Sequence, residues 1–212
     1  MTDASNPTAL RLNELLTAAG LAPLEPSPAS QFAAYCALLL RWNARTNLTA
    51  IRDEEGILSR HFVESIACAR ALPSGIATLL DFGSGAGFPG IPIALCHPEI
   101  AVTLAESQTK KAAFLQEAAR TLNLSVQIHS ARAETLTSKF NCVTLRAVDH
   151  MGMAVQAAKG LVASRGWLAL MTTLPQLDGL RVCLDSEFLL QGPISMPGGG
   201  NRVLALAQSS TI

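Results

Sequence analysis

The segment Leu79-Leu80-Asp81-Phe82-Gly83-Ser84-Gly85-Ala86-Gly87-Phe88-Pro89-Gly90 constrains this chain more than any other. A short apolar run ends in an acid and passes straight into Gly83, Gly85, Gly87 and Gly90, after which helical spacing begins. Glycines in that position let a ligand meet backbone where side chains would stand, and the following helix start offers N–H groups to an anionic group. A chain built around such a unit folds as α/β, with the ligand at the carboxyl edge of a parallel sheet.

The remaining pattern agrees. Residues 77–82, 101–106, 124–129, 142–145 and 167–171 read as strands, with helices over 108–121 and 151–163 between them, so the sheet is mostly parallel and doubly wound. Beyond Asp178, strand candidates over 182–190 and 203–207, joined by a Gly/Pro-rich loop over 192–201, predict a C-terminal antiparallel pair. Residues 8–72 carry helical periodicity instead. Leu10, Leu12, Leu15 and Leu16 precede Gly20; Phe32, Tyr35, Leu38, Leu39 and Trp42 follow a Ser27-Pro28 cap. Asp53 caps a third helix with Ile57, Phe62, Ile66 and Ala69 as its apolar stripe. Pro73-Ser74-Gly75 ends this region, which divides the chain into an N-terminal helical part, residues 1–73, and a ligand-binding domain, residues 74–212.

Composition excludes several classes. With 49% hydrophobic and 15% charged residues among 212, the chain buries a substantial core and is not disordered. Sixteen basic against sixteen acidic residues argue against indiscriminate coating of nucleic acid, although the basic set is 12 Arg and 4 Lys, and Arg suits phosphate and carboxylate recognition. Cys36, Cys68, Cys96, Cys142 and Cys183 form no CxxC pair, so neither a disulfide framework nor a zinc site is written, and four scattered histidines lack metal-ligand spacing. The start of the sequence carries no leader pattern and no apolar run reaches the ~20 residues of a membrane span; the expectation is a cytoplasmic protein without metal or membrane partner.

Two ligands compete for the glycine loop. Gly85-x-Gly87-x-x-Gly90 matches a dinucleotide fingerprint, with Glu106 near the expected offset for a ribose-binding acid. Gly83-x-Gly85-x-Gly87 after an acid matches the S-adenosylmethionine loop of Rossmann-like methyltransferases, and Asp81 favours it because a carboxylate repels a pyrophosphate but not a sulfonium. Glu106 alternatively serves as a helix-start acid, Lys110 and Lys111 as a solvated helix face, and Arg146, within an apolar run, as half of a structural ion pair. Cys96-His97 reads as packing, and Tyr35 and Trp42 as core.

Trp42-Asn43, the run from Asn47 through Asp53, Arg60-His61, the run from Asp81 through Pro92, Glu106-Ser107, Lys110-Lys111, Phe114-Leu115, Arg132-Ala133-Glu134 and Arg146-Ala147 together resemble the ribosomal RNA small subunit methyltransferase G family, also called glucose-inhibited division protein B. The resemblance implies a class I methyltransferase fold and transfer of a methyl group from S-adenosylmethionine to N7 of a guanine in small-subunit (16S) ribosomal RNA or the 30S particle, by a monomer. It places Gly83, Gly85, Gly87, Phe88, Glu106, Ala133, Glu134 and Arg146 at the cofactor, and Asn43, Asn47, Arg52 and His61 at the substrate. No general base is expected. The chain departs from the family at Glu64 and Asn141, each usually Asp, and at Met171-Thr172-Thr173, which lacks an expected Lys-Gly. An NAD-dependent oxidoreductase and a non-catalytic RNA-binding module stand as alternatives; the target position and the choice between naked RNA and subunit are not written in the sequence.

Overall fold

A computed structural model describes residues 6–148 and 150–211, with the side chain of Asp185 outside the description. Helices α1 (Pro7–Ala18) and α2 (Pro26–Thr46) come first. A short α3 (Glu54–Gly56) then runs through a π-helical stretch (Ile57–Val63) into α4 (Glu64–Ala71). Asn6 caps α1 by accepting the Thr8 and Ala9 N–H groups, and Asp53 caps α3 by accepting the Gly56 N–H at 2.7 Å. The Ser27-Pro28 cap is displaced: Pro26 opens α2, where a proline's missing N–H costs nothing, and Ser27 lies inside the helix.

Strands β1 (Thr78–Phe82), β2 (Ala101–Ala105), β3 (Gln127–His129), β4 (Phe140–Arg146) and β5 (Val162–Thr173) pair in parallel in the order β3-β2-β1-β4-β5. Their connections carry α5 (Gly90–Cys96), α6 (Thr109–Thr121) and α7 (Met151–Lys159). The C-terminal part adds α8 (Leu174–Leu184), β6 (Phe188–Leu190), β7 (Ile194–Ser195) and β8 (Arg202–Ser209), with β8 antiparallel to β5, β6 and β7. The mostly parallel sheet with an antiparallel C-terminal end therefore stands as expected. The run over 182–190 does not form one strand: its first residues finish α8, whose Leu177, Leu180 and Leu184 are buried at helical spacing. Helix α7 also stops at Lys159, four residues short of the expected end, because the chain enters β5 at Val162.

The period-two alternation of the strands assigns side chains to two cores. Leu79, Cys142, Ala169, Met171, Leu204 and Leu206 pack with α2, α4, α5 and α6, whereas Leu80, Val143, Leu145, Leu168, Leu170, Val203 and Ala205 pack with α7 and α8. Phe32, Tyr35, Phe62 and Phe114, all fully buried, join the N-terminal helices to the first face. By the same alternation Asp81, Thr144 and Arg146 belong to the face of Leu79 and Cys142, so the polar ends of β1 and β4 lie on the side of the N-terminal helices. Among the described residues no helix is long and apolar enough to cross a membrane.

Candidate active site

The order of strands reverses at β1, whose neighbours β2 and β4 leave in opposite directions, and a crevice opens at the carboxyl ends there. It forms a cavity of about 780 Å³ lined by residues 82–86 and Phe88 after β1, 105–108 after β2, 131–134 after β3 and 146–148 after β4, with Lys111, His150, Met153 and Ala154. Leu48, Thr49 and His61 close it from the N-terminal segment.

Each strand end contributes for a local reason. Gly85 adopts φ +57°, and a Cβ built on it would meet nothing nearer than the Gly83 carbonyl oxygen at 3.9 Å, so the missing side chain leaves ligand space. Gly87, at φ +90°, serves packing instead: its Cβ would fall 2.5 Å from Ile91 Cδ1 and 2.7 Å from Tyr35 Oη. Gly87 therefore does not line the cavity, unlike Gly83, Gly85 and Phe88. Glu106, 7% exposed, accepts the Gly85 N–H through Oε2 at 2.9 Å and the Gln108 N–H through Oε1 at 2.7 Å. It thus acts at a helix start and also lines the cavity, and each oxygen keeps a lone pair for a further donor. Ala133 and Glu134, in a single 3-10 turn after β3, complete that side.

Asp81 is turned away from the cavity. Its carboxylate accepts the Gly90 N–H at 3.1 Å and the Thr144 hydroxyl at 2.9 Å, and burial raises its pKa to about 6 against the pull of those hydrogen bonds. Asp81 thereby occupies the α5 N–H that a dinucleotide pyrophosphate would need, and a Cβ on Gly90 would collide with Leu104 and Asp81. The helix start does not face the ligand, contrary to the sequence reading.

Arg146 lines the cavity and is also ion-paired. Its Nη2 lies 2.9 Å from Glu64 Oε2 and donates to the Arg60 carbonyl at 2.7 Å, its Nη1 donates to Ser65 Oγ at 3.2 Å, and the guanidinium sits 5.8 Å over the Phe88 ring. Burial lowers its pKa and Glu64 opposes that. The His61 ring stacks on Phe88 at 4.5 Å with Nε2 2.7 Å from Thr49 Oγ1; burial, then Arg146 and Arg60, push its pKa down to about 3. His61 is therefore a neutral ring at ordinary pH.

Of the four substrate candidates only His61 reaches the cavity. Asn43 is buried and donates to the Ile51 carbonyl while accepting the Thr49 N–H, each at 3.0 Å. Asn47 ends α2 in the left-handed region at φ 48° and accepts from Arg52 Nη2 at 2.6 Å. These three residues shape the turn that carries Leu48 and Thr49 to the cavity. Leu48 and Thr49 carry no site signal of their own in the sequence, although both lie inside the Asn47–Asp53 run, and neither does His150; Lys111, whose helix start follows β2 at the ligand edge, also lines the cavity. Cys96 packs against the first core and His97 binds Glu99 and the Ala69 carbonyl, so they form no nucleophile–base pair. Among the described residues no group of His, Cys, Asp and Glu is placed to hold a metal ion.

A five-stranded parallel run extended by antiparallel β8 and β6, with a glycine loop after β1 and an acid after β2, is the architecture of the Rossmann-like methyltransferases. The ribosomal protein L11 methylase of Lactobacillus delbrueckii subsp. bulgaricus superposes with a TM-score of 0.58 at 14% identity, over 70% of this chain and 77% of that one. The family model GidB, rRNA small subunit methyltransferase G, matches residues 29–191. The ribosomal RNA small subunit methyltransferase G of Roseiflexus sp. (strain RS-1) is 47% identical over 203 residues, 86% of this chain and 84% of the relative. That of Chloroflexus aggregans is 34% identical over 208 residues, 92% and 87% respectively. The chain belongs to the rRNA small subunit methyltransferase G family and is an S-adenosylmethionine-dependent methyltransferase. Neither the oxidoreductase nor the non-catalytic reading finds support in these comparisons.

Proposed function

We propose that the chain methylates N7 of a guanine in small-subunit (16S) ribosomal RNA, in the cytoplasm, with the RNA or the 30S particle as substrate. The observation that carries this reading is the cavity that joins the glycine loop and Glu106 on one side to Thr49, His61 and Arg146 on the other. The first side supplies what an adenosine-bearing cofactor needs: backbone without side chains at Gly83 and Gly85, a carboxylate for ribose hydroxyls at Glu106, and the small Ala133 beside Glu134. The fit rests on Gly85, where any side chain would enter the cavity.

When bound, S-adenosylmethionine supplies an electrophilic methyl on a sulfonium, which an unprotonated ring nitrogen such as guanine N7 takes without a proton having to be removed. The protein's task is then alignment, and holding reactants in register lowers a barrier by up to ~7–11 kcal/mol. Phe88, packed against His61 and Arg146, gives a stiff wall beside the cavity. Neutral His61 adds no positive charge to that wall and Arg146 adds a permanent one. Exposed Arg45 on α2 and Arg60 on the π-helical stretch stand on the segment that closes the cavity, where RNA phosphates would approach.

Equilibrium binding of S-adenosylmethionine against NAD, followed by transfer of labelled methyl to undermethylated 30S particles and to free 16S RNA, tests the reading. Cofactor selectivity with label in 16S RNA supports it. Preference for NAD, or label confined to protein, contradicts it.

A further inference from the structure

Glu64, on the first turn of α4, is 3% exposed, yet three guanidiniums from three separate parts of the fold converge on it. Arg146 at the end of β4 approaches Oε2 at 2.9 Å. Arg202 at the start of β8 approaches Oε1 at 2.6 Å, and Arg60, one helical turn before Glu64, lies 3.5 Å from the same oxygen. Arg60 is half exposed, whereas the side chains of Arg146 and Arg202 are only 14% and 26% exposed, so two largely buried guanidiniums share the Glu64 carboxylate, with buried Asp81 as a further attractive charge for Arg146. Neutralising a buried Glu64 requires one arginine. A second brings a further charge largely out of water, which disfavours folding, so neutralising Glu64 does not by itself account for burying both Arg146 and Arg202 against it.

We propose that Glu64 is a positioning residue whose buried carboxylate fixes the guanidinium of Arg146 against Phe88 at the wall of the cavity, with the charges of Arg202 and Arg60 beside its other oxygen, which accepts no hydrogen bond from them. Arg146 is the member of the cluster that lines the cavity, and its Nη2 is shared between Glu64 and the Arg60 carbonyl. Glu64 thus supplies the charged contact that, beside the Arg60 carbonyl and Ser65 Oγ, sets the direction of a planar fork on a long flexible stem. This inference rests on the proposed function for its consequence in methyl transfer, but not for the geometry itself.

The test uses full-length protein carrying Glu64→Gln, which keeps volume and removes charge, together with Arg146→Ala and the double variant. Single-turnover methyl transfer to the 30S particle at saturating cofactor should fall at least tenfold in Glu64→Gln. The double variant should be no slower than Arg146→Ala, because Glu64 acts through Arg146. Additive losses overturn the proposal. A second readout needs no activity: the nitrogen-15 side-chain resonances of Arg146, assigned by their absence in Arg146→Lys, should show restricted guanidinium rotation in the wild type and averaging in Glu64→Gln. Unchanged resonances overturn the proposal even if transfer slows. If Glu64→Gln does not fold, Glu64→Asp takes its place; shortening the arm by one methylene should shift the Arg146 resonances, and no shift overturns the proposal. A wild type that transfers no methyl to RNA while the resonances respond as described would refute the proposed function and leave the positioning intact.

Discussion

Glu106 and Gly85 are joined by a 2.9 Å hydrogen bond from the Gly85 N–H to Glu106 Oε2, which ties the tip of the glycine loop after β1 to the end of β2 across 21 residues of sequence. The loop is therefore held from its neighbouring strand as well as by its own turn, in which the Gly87 and Phe88 N–H groups return to the Ser84 carbonyl. One carboxylate both shapes the backbone cradle and lines the cavity, where we propose that it meets the ribose.

Glu106→Ala removes both functions. Cofactor affinity should fall by roughly 1.5–3 kcal/mol, the value of hydrogen bonds to a charged group, or on the order of ten- to a hundredfold in Kd. Glu106→Gln, which retains one carbonyl acceptor, should lose less. Calorimetric titration with S-adenosylhomocysteine separates these outcomes, and unaltered affinity in the Ala variant removes Glu106 from the site.

The two central glycines should fail in different ways. Gly85→Ala points its methyl into the cavity, so it should weaken cofactor binding at the cost of roughly 1–2 kcal/mol of left-handed strain. Gly87→Ala drives its methyl into Ile91 and Tyr35, adding overpacking of roughly 1–3 kcal/mol to similar strain. Thermal unfolding without ligand should show Gly87→Ala as the less stable of the pair.

Arg146→Ala should slow methyl transfer by at least an order of magnitude, whereas its effect on stability is tempered because Arg60 and Arg202 still face Glu64. Lys should rescue transfer only in part, since a point charge does not reproduce the guanidinium fork. Full activity in folded Arg146→Ala would make the ion pair purely structural.

Two buried groups pull the pH dependence of stability in opposite directions. His61, held near 3 from an ordinary 6.5, binds fewer protons folded than unfolded between those values, so it makes stability rise with pH there. Asp81, raised from 3.8 to about 6, binds more protons folded, so stability falls as pH rises through that window, by about 3 kcal/mol for a shift of two units. Unfolding followed from pH 4 to 6.5 should therefore show a steeper rise for Asp81→Asn than for the wild type, and a flatter or falling curve for His61→Gln.

The local features of this fold were legible because they lie in adjacent residues. The strand-glycine-helix run, the Asp53 cap and the stripe through Ile57, Phe62 and Ile66 each follow from short-range spacing. Helix α8 was hidden because its last apolar residues, Val182 to Leu184, stand only three residues before the apolar residues of β6, so the two ends read as one strand. Asp81 stands near a strand end as expected, but its carboxylate turns to the Gly90 N–H and the Thr144 hydroxyl, because its face of β1 is the one that α5 covers. Arg146 ends strand β4 and its partner Glu64 lies 82 residues away on helix α4, and no spacing rule reaches that far. Asn43 and Asn47, expected at the substrate, build the turn that carries Thr49 to the cavity, through hydrogen bonds that no residue spacing announces.

The most direct test of the account is the chemical identity of the product. Undermethylated 30S particles incubated with the protein and methyl-labelled S-adenosylmethionine are digested to nucleosides and resolved by mass spectrometry. The account predicts label in 7-methylguanosine, at a single site in 16S RNA, abolished by Gly85→Val. Label on another base atom, on a ribose hydroxyl or on ribosomal protein, with none at guanine N7, would contradict it.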